Sequence, residues 1–303
     1  MKGQTPYRYE GLGLCVLLVL SFVSPILISI QAHASMGSGI HLSLNPGYLV
    51  QGGICQVVFL PDKGYEITWA GFEGKPLVLK ELGHHRYLAL VGAGLREKPG
   101  RKILRIRLHT PNNGIKTIVR HIQVKRKDYP EEHLKVPGKM VEFSPRTLRR
   151  VLADQKAVRQ ACSKITNKIY WKRPFVWPVE SKILSPFGLR RFFNGKPRSP
   201  HSGIDLRARA NTPIKAPSNG KVALVRNCYL SGNTVVVDHG GGLFTLYAHL
   251  SKVMVRRGQK VQRGQVIGLS GATGRATGPH LHWGVSLMGV RVDPVQLMKL
   301  MGH

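Results

Sequence analysis

The sequence predicts a mainly β protein: an N-terminal β-sandwich-like domain, a helical linker and a C-terminal all-β domain. Three observations predict it. Residues 40–125 read as short apolar stretches separated by turn signals. A segment starting at Ser144 carries helical periodicity behind a capping residue. From Trp177 onward the chain is Gly-rich and strand-like, with no helical periodicity until its last few residues.

The elements follow in order along the chain. The first ten residues carry Lys2 and Arg8, and residues 11–30 are an almost unbroken apolar run without charge. Ala32-His33-Ala34 then supplies a small-x-small site, so residues 1–34 are expected to be a signal peptide cleaved before Ser35. An uncleaved anchor is the alternative, because the run is long. Either way the remainder is expected outside the cytoplasm, in the periplasm or cell envelope.

That location frames the charge. Lys and Arg total 46 against 15 Asp and Glu, a formal +31. Such a field favours anionic partners. Export excludes nucleic acid and leaves a carboxylate- and phosphate-bearing envelope as the expected partner, with membrane contact only through the N-terminal segment if it is uncleaved. Three cysteines lie beyond the apolar run, Cys55, Cys162 and Cys228. They form no C-x-x-C pair and are expected to be small buried residues.

Residues 35–128 form the expected β-sandwich-like domain. His41-Leu42-Ser43-Leu44, Val57-Val58-Phe59-Leu60 and Glu66-Ile67-Thr68-Trp69 are its first candidate strands. Leu104, Ile106 and Leu108 alternate with Arg105, Arg107 and His109, the pattern of a half-buried strand. His84 and His85 would point to opposite faces of a strand and so are not expected to share a metal. Residues 129–176 are expected as a linker: a polar stretch to about Lys139, then a helix with Ser144 as cap and Pro145 in its first turn. Leu148, Val151, Leu152, Val158, Ile165 and Ile169 fall on one helical stripe, opposite Arg146, Arg149, Arg150 and Lys156. Residues 177–299 are the expected C-terminal domain, with strands near 221–225, 233–238, 243–250 and 280–287.

Three clusters there can carry chemistry: His201-Ser202-Gly203-Ile204-Asp205, Tyr247-Ala248-His249-Leu250 and Pro279-His280-Leu281-His282. Singly each is weak, since an isolated histidine is more often a satisfied surface or core residue. In a strand, residues an even number apart share a face. His280 and His282 therefore point the same way, as do His201 and Asp205 if their segment is extended, and the two pairs can converge on one metal. Neutral imidazoles and a carboxylate suit zinc, and three protein ligands leave a position for water. Zinc lowers the pKa of that water to about 7 and polarises a carbonyl. Amide hydrolysis also needs a proton acceptor and a donor to the developing oxyanion, which a further histidine pair would supply. His239, beside Asp238 at a strand end, is read as structural. H-E-x-x-H, P-loop and G-x-S-x-G signatures are absent.

From about Pro178 to Met298 the chain resembles the lysostaphin/LytM-type M23 family of zinc metallopeptidases. The resemblance rests on H-x-x-x-D at His201 to Asp205, H-x-H at His280 to His282, Tyr-Ala-His-Leu-Ser at Tyr247 to Ser251, and Ser185-Pro186-Phe187-Gly188. It implies one zinc ion held by His201, Asp205 and His282, with His249 and His280 as general base and transition-state stabiliser in an order left open. It further implies an endopeptidase acting on the stem or cross-bridge peptides of bacterial peptidoglycan, with the β-rich segment ahead of the linker as an accessory domain. The alternative is a non-catalytic relative of the same fold that binds the wall or regulates a wall amidase. Such relatives usually lack some of these residues, and all five stand here.

Overall fold

The computed structural model describes residues 39–135, 143–172 and 174–302. The expected signal peptide and its cleavage site lie outside the described residues. Among the described residues, no helix is long and apolar enough to cross a membrane.

Strict alternation builds the N-terminal module. The strand Gly100–His109 buries Leu104, Ile106 and Leu108 and exposes Arg105 and Arg107. It is central in a five-stranded sheet that runs Leu49–Val50, Ile115–Lys125, Gly100–His109, Glu66–Phe72, Lys75–Pro76. A four-stranded sheet, in the order Ile40–Asn45, Ile54–Pro61, Arg86–Gly92, Lys80–Gly83, supplies the facing layer. Val57, Phe59 and Val91 of the second sheet share one core with Leu104, Ile106 and Ile122 of the first. Each such side chain contributes roughly 1.5–3 kcal/mol by leaving water. The result is a β-sandwich. His84 and His85, expected in a strand, instead form the two-residue turn between Lys80–Gly83 and Arg86–Gly92, with φ of 50° and 54°. Two consecutive residues at positive φ match the twist of the flanking strands, and both side chains are exposed.

The expected linker is more structured than its polarity suggests. Glu131–Leu134 is a strand, parallel to Arg190–Phe193 of the C-terminal module. Glu131 pairs with Arg190 at 2.6 Å and Glu132 with Arg191 at 2.9 Å. Charge pairing with residues some sixty positions away leaves no trace in local periodicity.

Helix α1 (Pro145–Ser163) follows, its Thr147 amide donating to Ser144 Oγ at 3.2 Å. Its buried face differs from the expected stripe. Ile165 and Ile169 lie beyond its end, Leu148 and Leu152 are exposed, and Val151, Asp154 and Cys162 are buried. Asp154 decides this orientation. Its Oδ1 accepts from Arg226 Nε at 2.7 Å and its Oδ2 from the Tyr229 amide at 2.8 Å, which fastens α1 to the strand Gly220–Cys228.

The C-terminal module is built around one large antiparallel sheet. Its strands run Ile183–Ser185, Ile204–Arg207, His280–Leu287, Leu243–Val253, Gly232–Gly240, Gly220–Cys228, Lys260–Val261. Val266–Ser270 pairs with the far end of Leu243–Val253 and with Pro213–Lys215, and Val290–Val292 pairs with His280–Leu287. Helix α2 (Pro294–Met301) starts on the Asp293 cap and joins the two modules. Gln56 Nε2 donates to the Leu300 carbonyl at 2.9 Å, and the Ile54 amide donates to Gln296 Oε1 at 3.1 Å. Ile54, Leu88 and Leu90 of the sandwich enter the same apolar core as Leu287, Val292 and Leu297. Cys55, Cys162 and Cys228 are buried free thiols.

A polar chain is buried in the large sheet. His239 Nδ1 donates to the Asn219 carbonyl at 2.8 Å, so Nε2 accepts from Thr245 Oγ1 at 2.8 Å, and Thr245 in turn accepts from the Tyr247 hydroxyl at 2.8 Å. His239 is fully buried. Burial lowers its pKa from 6.5 to about 4, with the Asn219 bond opposing. Between those values the unfolded chain binds a proton that the folded chain refuses. The contribution of His239 to stability is therefore full above pH 6.5, falls as pH drops toward 4, and amounts to about 3 kcal/mol across that window. Urea unfolding over this pH series should show a steep decline in the wild type and a shallower one in His239→Gln. Parallel declines would remove His239 from the account.

Candidate metal centre

The sheet register assembles the site. Asp205 on Ile204–Arg207 stands directly opposite His282 on His280–Leu287, and His282 stands opposite Ala248 on its other side. His280 and His282, two residues apart, share the face that Asp205 occupies, as alternation requires.

His201 lies not in the strand with Asp205, as an extended segment would put it, but in the loop ahead of Ile204–Arg207. Two backbone hydrogen bonds hold it there: the Gly188 amide donates to the His201 carbonyl at 2.8 Å, and the His201 amide to the Leu189 carbonyl at 3.0 Å. Two glycines make this approach feasible. A Cβ on Gly203 would lie 2.4 Å from the Trp283 carbonyl oxygen and 2.9 Å from the His282 ring. Gly188, at φ 80°, passes so close to the Tyr129 ring that a Cβ would come within 2.1 Å of it.

His249 needs a different device. Simple alternation would turn it away from the face shared by Ala248 and His282. The pairing of Leu243–Val253 with Gly232–Gly240 shifts between Tyr247 and Leu250, where three steps on one strand match two on the other. His249 sits in this bulge with φ 61° and is re-aimed toward the site. Its ring centroid lies 4.7 Å from that of His280 and 6.2 Å from that of His282.

Three donor atoms meet in a triangle. His201 Nε2 is 3.1 Å from Asp205 Oδ1, His282 Nδ1 is 2.9 Å from the same oxygen, and the two ring nitrogens are 3.0 Å apart. The Pro186 carbonyl, 2.9 Å from His201 Nδ1, can only accept, so the proton sits on Nδ1 and the Nε2 lone pair faces the triangle. Ser185 Oγ lies 3.2 Å from the same Nδ1 and accepts from Arg191 Nη2 at 3.1 Å. Arg191 is itself held by Glu132, so the Glu131–Leu134 strand braces His201 through two side chains. The sequence marks Ser185 and Pro186 as part of a motif but gives no sign of Arg191 or Glu132.

Electrostatics suit a dication. Burial pushes the Asp205 carboxyl up, yet the neighbouring imidazoles of His201 and His282 outweigh it and hold it well below the usual range. Burial lowers His282 to about 4, leaving its imidazole neutral. Three electron-pair donors about 3 Å apart can all stand about 2.0–2.1 Å from one point, the zinc–nitrogen and zinc–oxygen distance. The set fits one zinc ion.

His249 and His280 stand beside the triangle. His249 Nδ1 donates to the Thr273 carbonyl at 2.8 Å and His280 Nδ1 to the Gly278 carbonyl at 2.9 Å. Each ring is thereby fixed in one tautomer, with Nε2 free of the backbone. His280 Nε2 is 3.8 Å from Asp205 Oδ1, farther than either triangle nitrogen. Burial lowers the His249 pKa, with His280 adding to the effect and the Thr273 bond opposing it.

The chain is similar to known proteins over this region. The profile of Peptidase family M23 matches residues 199–294. A solved structure of a peptidase M23 from Pseudomonas aeruginosa is 34% identical, superposes with a TM-score of 0.63, and is matched over 82% of this chain and 94% of its own. Peptidoglycan DD-endopeptidase ShyA of Vibrio cholerae is 47% identical over 126 residues, 41% of this chain and 29% of the relative. DD-carboxypeptidase/endopeptidase Mpg of Neisseria meningitidis is 40% identical over 119 residues, 39% of this chain and 27% of the relative. The chain thus spans less than a third of the length of these curated relatives.

Proposed function

The chain belongs to peptidase family M23, and from that premise we propose that it is a zinc metalloendopeptidase that cuts stem or cross-link peptides of bacterial peptidoglycan outside the cytoplasm. The observation that carries this reading is the convergence of a three-donor metal triangle with two backbone-oriented histidines on one sheet face. A non-catalytic wall-binding relative has no need of all five.

In this reading His201, Asp205 and His282 hold the metal. When bound there, zinc would supply Lewis acidity toward a water and the scissile carbonyl. His249 and His280 handle the protons and the oxyanion. With Nδ1–H committed to carbonyl oxygens, each Nε2 is the atom that accepts a proton, and once protonated it donates toward developing negative charge. The braced position of His201 and the bulge at His249 cost backbone freedom in advance, so the site needs little rearrangement when substrate arrives.

Turbidity of purified sacculi tests the proposal. Zinc-loaded protein should clear the suspension, chelator should stop it, and added zinc should restore it. Stoichiometric zinc without clearing, but with firm binding to sacculi, would instead support the wall-binding relative.

The basic surface has a separate role in this proposal. Arg105 and Arg107 on the sandwich and Arg146, Arg149 and Arg150 on α1 are exposed, and the chain carries a formal +31. Long-range attraction should hold it near a wall rich in carboxylates and phosphates. Exposed charges are screened over about 8 Å at physiological salt. Sedimentation with sacculi should therefore weaken as salt rises, while turnover of a short soluble peptide changes much less. Sedimentation that ignores salt would assign retention to specific contacts.

A further inference from the structure

A cavity of about 290 Å³ lies between α1 and the large sheet, beside the candidate metal centre. His282 and Ser202 form its wall on the metal side, and Leu246 and Val158 give it apolar surface. Arg291 from Val290–Val292 and Arg159 from α1, the latter exposed, also line it. A Cβ on Gly284 would lie 3.5 Å from both Arg291 Nη1 and the Ser202 carbonyl oxygen, so the guanidinium is a neighbour of the His201–Asp205 loop.

The charge in this cavity is unbalanced. Arg291 is half-buried, and among the described residues no carboxylate or other hydrogen-bond partner engages its guanidinium. Among the described residues Asp154 is the only acid lining the cavity, and it has both oxygens committed, one to Arg226 and one to the Tyr229 amide. A half-buried guanidinium without a counter-ion bears a desolvation cost that an incoming anion offsets. The planar fork of Arg binds a carboxylate through two parallel hydrogen bonds. At the small end of ligand pockets, about 300 Å³, the cavity suits one residue rather than a length of chain.

We propose that this cavity is a carboxylate subsite: Arg291, assisted by Arg159, takes a free carboxylate on a substrate residue next to the scissile bond. This rests on the peptidase reading of the metal centre. The carboxylate comes either from the C-terminus of a peptide or from a side chain, and both occur in wall peptides.

The test uses the zinc-loaded full chain. Binding of N-acetyl-D-alanine and of its carboxamide is measured by calorimetry, and kcat/KM is measured for matched peptides ending in carboxylate or carboxamide. A third peptide, amidated at its C-terminus and carrying only a side-chain carboxylate, identifies the source. The wild type should prefer carboxylate by about tenfold to a hundredfold, the range of a charge-assisted hydrogen bond. In Arg291→Gln the carboxylate-to-carboxamide ratio should fall to about one, and Arg291→Lys should keep part of it. Arg159→Gln, at an exposed position of α1 beside the cavity, should lower the ratio by about threefold whether or not the Arg291 variants fold. A wild type without preference overturns the subsite. So does a preference that survives in folded Arg291→Gln, because that preference would be metal ligation. Arg291-dependent binding without any peptide hydrolysis would sink the peptidase reading and leave the subsite standing. Hydrolysis without carboxylate preference would do the reverse.

Discussion

Replacing Asp205 with Ala is expected to remove zinc and lower peptide hydrolysis by about a thousandfold or more, several kcal/mol of transition-state stabilisation. Asp205 is the hub of the triangle: its Oδ1 lies 3.1 Å from His201 Nε2 and 2.9 Å from His282 Nδ1. It also carries the negative charge of the donor set, since the His282 imidazole is neutral. Without it, two imidazoles face a dication alone. The fold should survive, because the strand Ile204–Arg207 is held by backbone pairing with His280–Leu287 and by the buried Ile204 and Leu206. Metal analysis, hydrolysis and thermal unfolding measured on one preparation check all three points. Full activity in metal-free Asp205→Ala would end the assignment.

His249→Ala and His280→Ala are each expected to reduce kcat by about a hundredfold or more while zinc stays bound. The separation of roles rests on geometry. Both rings commit Nδ1 to a backbone carbonyl, and His280 Nε2 stands 3.8 Å from Asp205 Oδ1, outside the triangle. Ala also keeps the strain of φ 61° at position 249, so the backbone bulge is disturbed little. Stoichiometric metal loss in His280→Ala would make that residue a ligand and require a different triangle.

Parity along a strand made part of this site legible in advance. His280 and His282 share a face, and the β character of the C-terminal module follows from its Gly-rich strand runs. Other parts depend on tertiary register. His249 reaches the site through a bulge set by pairing with Gly232–Gly240, which no local alternation encodes. His201 reaches it from a loop fixed by Gly188 and Leu189 and braced by Glu132 through Arg191 and Ser185. On α1, apolar periodicity favours Leu148 and Leu152 as buried, yet both are exposed. The partners of Asp154, more than seventy residues away, turn that carboxylate inward instead. Charged anchors of this kind invert a hydrophobic stripe without altering helix propensity.

Mass spectrometry of the material released from purified sacculi tests the central claim most directly, using zinc-loaded wild-type protein beside the same protein after chelation. The account predicts peptide fragments with newly freed amino and carboxyl termini, intact glycan strands, release that disappears on chelation, and recovery when zinc is returned. Cleaved glycan, or identical peptide fragments from the chelated protein, would contradict it.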